Sequence, residues 1–196
     1  MKTRLKSTSL HAFTLIEMLV VITIIGILAG LVGGAVTGVM KKAKKVRTQA
    51  ALKDIVLGIN NYRVEYNRFP LPQGHSSEEP VPLSAGNTIL KILLGKNEAK
   101  MNPREIAYIE PPMAKNGAGG LSGSEGNYEL TDSWAMPYEV IVDANYDNKI
   151  SNPDVDNADS TISTGAPRDI VAGAVALSFG EDKKENTKDD VVSWRP

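Results

Sequence analysis

In "DANYDNKISNPD" oxygen-bearing groups recur at a regular spacing: Asp143, Asn145 and Asp147, then Lys149 through its backbone carbonyl, then Ser151 and Asp154. They occupy positions 1, 3, 5, 7, 9 and 12 of the twelve-residue calcium-loop pattern, with apolar Ile150 at position 8. A tight turn directs every second side chain towards one centre, and calcium takes about six to eight oxygens. The chemistry expected here is therefore binding of a hard cation. Two positions depart from the pattern. Asn148 stands at position 6 in place of glycine, although Asn tolerates the left-handed backbone needed there. Asp154 at position 12 is shorter than the usual Glu, and no pair of helices flanks the loop. The same residues also suit a solvated, Asx-rich turn.

A second chemical oddity is Glu17, a lone carboxylate at the head of an apolar run. Met18 to Met40 is 23 residues without a charge. As helix that is about 35 Å, enough to span a bilayer. A charge at membrane depth costs about 2.5–3.5 kcal/mol even on the gentler insertion scales. Capping of the first helical turn accounts for the position of Glu17, but not for the need of an acid at that depth. Gly26, Gly30, Gly34 and Gly38 recur every fourth residue on one helical face, a small-residue groove that permits close helix–helix contact. Glycine is also common in membrane helices generally.

Other chemistry is excluded by composition. The chain has 196 residues, no cysteine and two histidines, His11 and His75, which leaves out disulfides, thiolate metal sites and a His-based zinc site. No nucleophile–base pair stands out, so no enzyme is expected. The net charge is −1, unevenly spread: Asp132 to Pro196 holds thirteen acids and six bases. An acidic, Asp- and Asn-rich C-terminal part suits cations or solubility and not nucleic acid.

These residues must be positioned by a few elements. Residues 1–12 carry Lys2, Arg4 and Lys6 without an acid, a targeting leader. Lys41, Lys42, Lys44, Lys45 and Arg47 follow the apolar run, and the preferred orientation puts the polar bulk outside the cytoplasm. In "VRTQAALKDIVLGINNYRVEYNRFP" an apolar stripe of Leu52, Ile55, Ile59, Tyr62 and Tyr66 predicts a helix ended by Pro70. Asn87 to Gly95 reads as a short helix with an Asn N-cap. Asn116 to Asn127 reads as flexible, and His75 as a solvated loop residue. Strands are expected at 138–143, 171–180 and 191–194, forming a small antiparallel sheet laid on the long helix, with Trp134 in the core. The fold class is α+β. The segments are a leader (1–12), a transmembrane helix (13–40), its amphipathic continuation (41–70) and a globular head (71–196).

"AFTLIEMLVVITIIGILA" resembles the N-terminus of type IV pilins and of type II secretion pseudopilins. The resemblance implies cleavage between Ala12 and Phe13 by a membrane peptidase, methylation of the new Phe13 amine, and a pilin fold. It implies that Glu17, with the glycine face of Gly26, Gly30, Gly34 and Gly38, serves assembly: Glu17 of one copy meets the Phe13 amine of the next. Pairing then offsets burial only in register. Two positions differ from the family: Ala12 replaces the Gly before the cut, and Gly34 stands where many members have proline. "YRVEYNRFPLP" and "DSWAMPYEV" resemble segments of major pseudopilins, the latter with Ala135 in place of Gly. "SFGEDKKENTKDDVVSW" resembles their C-terminal calcium loop, which implies Asp182, Asp189, neighbouring Asp190 and the Leu177 carbonyl as ligands, although "KKENTK" replaces a Gly-rich middle. An exposed charged hairpin would read the same. The implied protein is a structural subunit of a pseudopilus in the bacterial inner membrane, single-pass with a periplasmic head. Its partners would be copies of itself, minor pseudopilins, the assembly platform and the peptidase/methylase. A surface type IV pilin, or a membrane-anchored calcium-binding module that never polymerises, are the alternatives.

Overall fold

The computed structural model describes residues 13–72 and 74–195, and of residues 31–36 the helical backbone alone. The leader, Ala12 and the surroundings of Gly34 lie outside the described residues. The chain divides into two compact units between Lys42 and Ala43. That boundary falls inside the first helix, α1, Leu15–Tyr66.

In the first unit the described apolar side chains, Leu15 to Leu28 and then Val39 and Met40, are all exposed. Among the described residues no helix is long and apolar enough to cross a membrane. The span expected from Met18 to Met40 includes residues 31–36, whose side chains are not described.

In the second unit α1 buries the predicted stripe. Leu52, Ile55, Ile59 and Tyr62 are each 0–2 % exposed, whereas Tyr66 is only partly covered. Burying one such side chain contributes about 1.5–3 kcal/mol. The Tyr62 hydroxyl donates to the Met101 carbonyl at 2.8 Å, so its polar end is satisfied inside the core. The helix stops before Pro70, because Asn67 takes the left-handed conformation at φ 52°.

Among the described residues eight short strands follow: β1 (Val81–Pro82), β2 (Gly120–Ser124), β3 (Asn127–Thr131), β4 (Glu139–Val142), β5 (Ile150–Ser151), β6 (Asp169–Ile170), β7 (Ala174–Ser178) and β8 (Val191–Val192). Four make an antiparallel sheet in the order β1-β4-β7-β8, with Val140 opposite Ala176 and Leu177 opposite Val192. Its Val140, Val142, Ala174 and Ala176 join Leu52, Ile55, Ile59 and Phe69 in one core. Helix α2, Thr88–Leu93, adds Ile89, Leu90 and Leu93, and its N-terminus is capped as expected by Asn87, which accepts from the Leu90 amide at 3.0 Å. A one-turn α3, Ser160–Ser163, completes the set. The α+β class is that of the sequence reading.

Three expectations change. Residues 116–127 are not flexible throughout: they hold most of the β2–β3 hairpin, turned by Glu125 and Gly126. Gly120 lets β2 run against the preceding loop, since a Cβ there would come within 2.1 Å of the Pro112 carbonyl oxygen. His75 is partly buried, with its amide on the Pro72 carbonyl at 3.1 Å. Trp134 packs against the core while remaining partly exposed.

Candidate functional site

At the N-terminus Thr14 and Glu17 form a reciprocal cap. The Thr14 amide and hydroxyl both donate to Glu17 Oε2 at 2.8 Å, and the Glu17 amide donates to Thr14 Oγ1 at 3.3 Å. This is the capping box, in which a Thr and the acid three residues on satisfy each other's open helix-end groups. Phe13, beside it, is 73 % exposed. Gly26, Gly30 and Gly38 have open space where a Cβ would stand, so a second helix could approach this face to backbone distance.

The first acidic loop is wound around Asp143. That residue is fully buried, and its carboxylate accepts the Asp147 amide at 3.1 Å and the Asn148 amide at 2.8 Å. Asn145 Oδ1 accepts the Asp147 amide at 2.7 Å, and Asp147 Oδ1 accepts that of Lys149 at 2.9 Å. Asn148 is left-handed at φ 61°, the conformation that position 6 requires. Ser151 lies in β5 opposite Asp169. Asp154 is held elsewhere, in a turn opened by Pro153: its Oδ2 accepts from Trp194 Nε1 at 2.8 Å and pairs with Arg195 Nε at 3.1 Å. Among the described residues the acidic groups that converge are Glu78, Asp143 and Asp147, one oxygen of each within 4.8 Å of the others. Glu78 has no place in a twelve-residue loop pattern, which looks only along a contiguous segment.

The second loop gathers its acids around Thr187. Its Oγ1 lies 3.3 Å from Asp182 Oδ1, 3.0 Å from Asp189 Oδ1 and 3.2 Å from Asp190 Oδ1. One hydroxyl proton serves one of these oxygens at a time. Asp189 Oδ2 also accepts the amides of Glu181 at 2.6 Å and Asp182 at 3.0 Å. Gly180 makes room for this: a Cβ there would stand 2.6 Å from Asp189 Oδ2. Burial pushes the Asp189 carboxyl up, but the amides of Asp182 and Glu181 and the Thr187 hydroxyl outweigh it, so the group ends below the usual carboxylate range. Asp190 goes the other way, raised to about 6, chiefly by burial. Leu177, the remaining residue of this set, is paired in β7 with Val192. Carboxylate, hydroxyl and carbonyl oxygens are a donor set that suits calcium.

Comparison with known proteins bears on the N-terminus first. Residues 10–33 match the family model of the prokaryotic N-terminal methylation motif. The type II secretion system core protein G of Aeromonas hydrophila is 29% identical over 136 residues, which is 61% of this chain and 93% of that protein. The chain thus resembles type IV pilin-like proteins. No solved structure matches it. The capping pair Thr14–Glu17 and the glycines 26 and 30 lie inside the matched methylation motif.

Proposed function

We propose that this chain is a structural subunit of a type II secretion pseudopilus, polymerising through its N-terminal helix to support protein export. The observation that carries the reading is the similarity to core protein G over 93% of that protein's length, joined to a methylation motif at residues 10–33. The role is structural and no catalysis is assigned. A prepilin peptidase would cut between Ala12 and Phe13, and the freed, methylated amine of one copy would meet Glu17 of another. Helices would bundle through the faces of Gly26, Gly30, Gly34 and Gly38. Before assembly the helix would anchor the chain in the inner membrane with the head in the periplasm, where it would meet minor pseudopilins and the assembly platform.

The second acidic loop fits calcium. Asp182, Asp189 and Asp190 would hold the ion with the Leu177 carbonyl, and Thr187 would give up its competing contacts. Calcium there would neutralise carboxylates that now share one hydroxyl, and would close the loop between β7 and β8 in a domain without disulfides. Mass analysis of the N-terminal peptide from cells tests the central claim. The expected peptide begins at Phe13 and carries one added methyl group. A chain that retains its first twelve residues would remove the amine on which the polymer depends.

A further inference from the structure

The segment that follows β5 grips the loop between β7 and β8. A 3₁₀ turn, Pro153–Asp156, closes with the Asn157 amide on the Asp154 carbonyl at 3.2 Å. Asn157 is 6 % exposed, and both ends of its side chain are engaged. Its Oδ1 accepts the Asp159 amide at 2.9 Å, and its Nδ2 donates to the Thr187 carbonyl at 3.0 Å. That carbonyl also takes the Asp190 amide at 3.4 Å, while Asp190 Oδ2 takes the Thr187 amide at 3.0 Å. Asn157 therefore holds the reciprocal turn that sets Asp189 and Asp190. Two contacts flank it: the Ala158 amide donates to the Asn186 carbonyl at 2.8 Å, and Lys188 Nζ pairs with Asp159 Oδ2 at 2.9 Å. The Lys188 end of that pair is exposed, so it adds little. From the same segment Asp154 takes Trp194 and Arg195 just beyond β8. The chain is thus held on both sides of β8 by residues 154–159.

We propose that Asn157 is a positioning residue of the β7–β8 loop: its side chain sets the ligand face of that loop before a cation arrives. For the ion, this role rests on the calcium reading of Asp182, Asp189 and Asp190. Carboxylates drawn together repel one another, and ordering the loop that carries them costs conformational entropy besides. Contacts from outside the loop meet both costs in advance, so less of the binding energy goes into ordering. Asn157 is not itself a ligand, because its donor is taken by Thr187 and its acceptor by Asp159. It acts as the groups behind metal ligands do, by fixing where the ligands point. The same brace accounts for Asp154, which anchors the far side of β8 and does not join the first acidic loop.

Hydrogen exchange and calorimetry on the full-length chain in detergent test this. Without calcium, the amides of Lys184, Thr187 and Asp190, each hydrogen-bonded within the loop, should exchange about fivefold faster in Asn157→Ala than in wild type. On titration with calcium chloride, Asn157→Ala should bind at unchanged stoichiometry but about tenfold more weakly. Asp189→Asn should lose the binding event, which assigns it to this loop. Asn157→Asp keeps the shape and the acceptor for Asp159, but when ionised it cannot donate to Thr187. Its added charge by itself would tighten cation binding, so weaker binding in this variant isolates the donated hydrogen bond and keeps the test open if Asn157→Ala does not fold. The role is overturned if exchange of these amides is unchanged in Asn157→Ala, or if either variant binds calcium as tightly as wild type. A lower melting temperature with unchanged affinity would likewise leave Asn157 a purely structural residue. A wild type that takes up no calcium overturns the calcium reading instead, and the positioning role is then decided by the exchange rates alone.

Discussion

Ala135 sits at φ 63°, in the left-handed region that suits glycine. The turn that puts it there is locked by Asp132, which is fully buried and accepts the Trp134 and Met136 amides at 2.8 and 2.9 Å. Its other oxygen takes the Ser178 hydroxyl at 2.6 Å, tying the turn to β7. A Cβ in that conformation costs about 1–2 kcal/mol, and the extra freedom of glycine in the unfolded chain returns part of it. Ala135→Gly should therefore stabilise the chain by about 0.5–1 kcal/mol, read as a higher melting temperature. Asp190 makes a pH-dependent prediction. Its folded pKa of about 6 stands above the ordinary carboxylate value of 3.8, chiefly through burial. The folded state then binds the proton more tightly than the unfolded one. The resulting stability is complete below pH 4 and is lost as pH rises through 6. In calcium-free buffer Asp190→Asn should lack this loss, so its melting temperature relative to wild type should climb between pH 4 and 7. Parallel melting curves across that range would refute the assignment.

At the scale of elements, α1 carries most of the predictive weight. Ile59 is 0 % exposed and packs in the core shared with β4 and β7. Ile59→Ala should cost about 2–5 kcal/mol by the lost burial and the cavity left behind, measured as a fall in the melting temperature of the head. This stripe was readable in the sequence because one amphipathic helix repeats its buried positions at spacings of three and four. The α2 cap at Asn87 and the strands β4, β7 and β8 were readable for similar local reasons. The β2–β3 hairpin was not. Gly120, Ser122, Gly123 and Ser124 carry no apolar alternation, and the strand exists because Leu121 reaches the core while Gly120 slides against Pro112. The acidic loops divide in the same way. Asp143, Asn145 and Asp147 follow a local spacing, and their turn is the one expected. Asp154 left that set because the turn begun by Pro153 carries it to Trp194 and Arg195. Glu78 joined through tertiary folding, which no spacing rule along the chain records.

At the scale of the whole molecule, the role of Glu17 decides whether this is a polymer subunit or a solitary anchored head. One role of this side chain is seen in its contacts and the other is the one proposed above. Its contacts with Thr14 make it a cap, a service performed within a single copy. Its negative charge, next to an apolar helix whose described side chains are exposed, is the feature that a neighbouring amine would need. Glutamine separates the two, because the capping box accepts Gln as well as Glu at this position. Glu17→Gln should keep the helix start intact, with unchanged helical content by circular dichroism and normal removal of the leader. It should nevertheless give few or no filaments by electron microscopy, because the neutral amide cannot pair with the Phe13 ammonium. Glu17→Ala should lose filaments and also fray the first turn. If Glu17→Gln assembles as well as wild type while Glu17→Ala does not, the residue is a cap and nothing more, and register would have to come from the glycine face. In that event replacing Gly26 or Gly30 with leucine, where the open groove would be filled, becomes the substitution that should stop assembly.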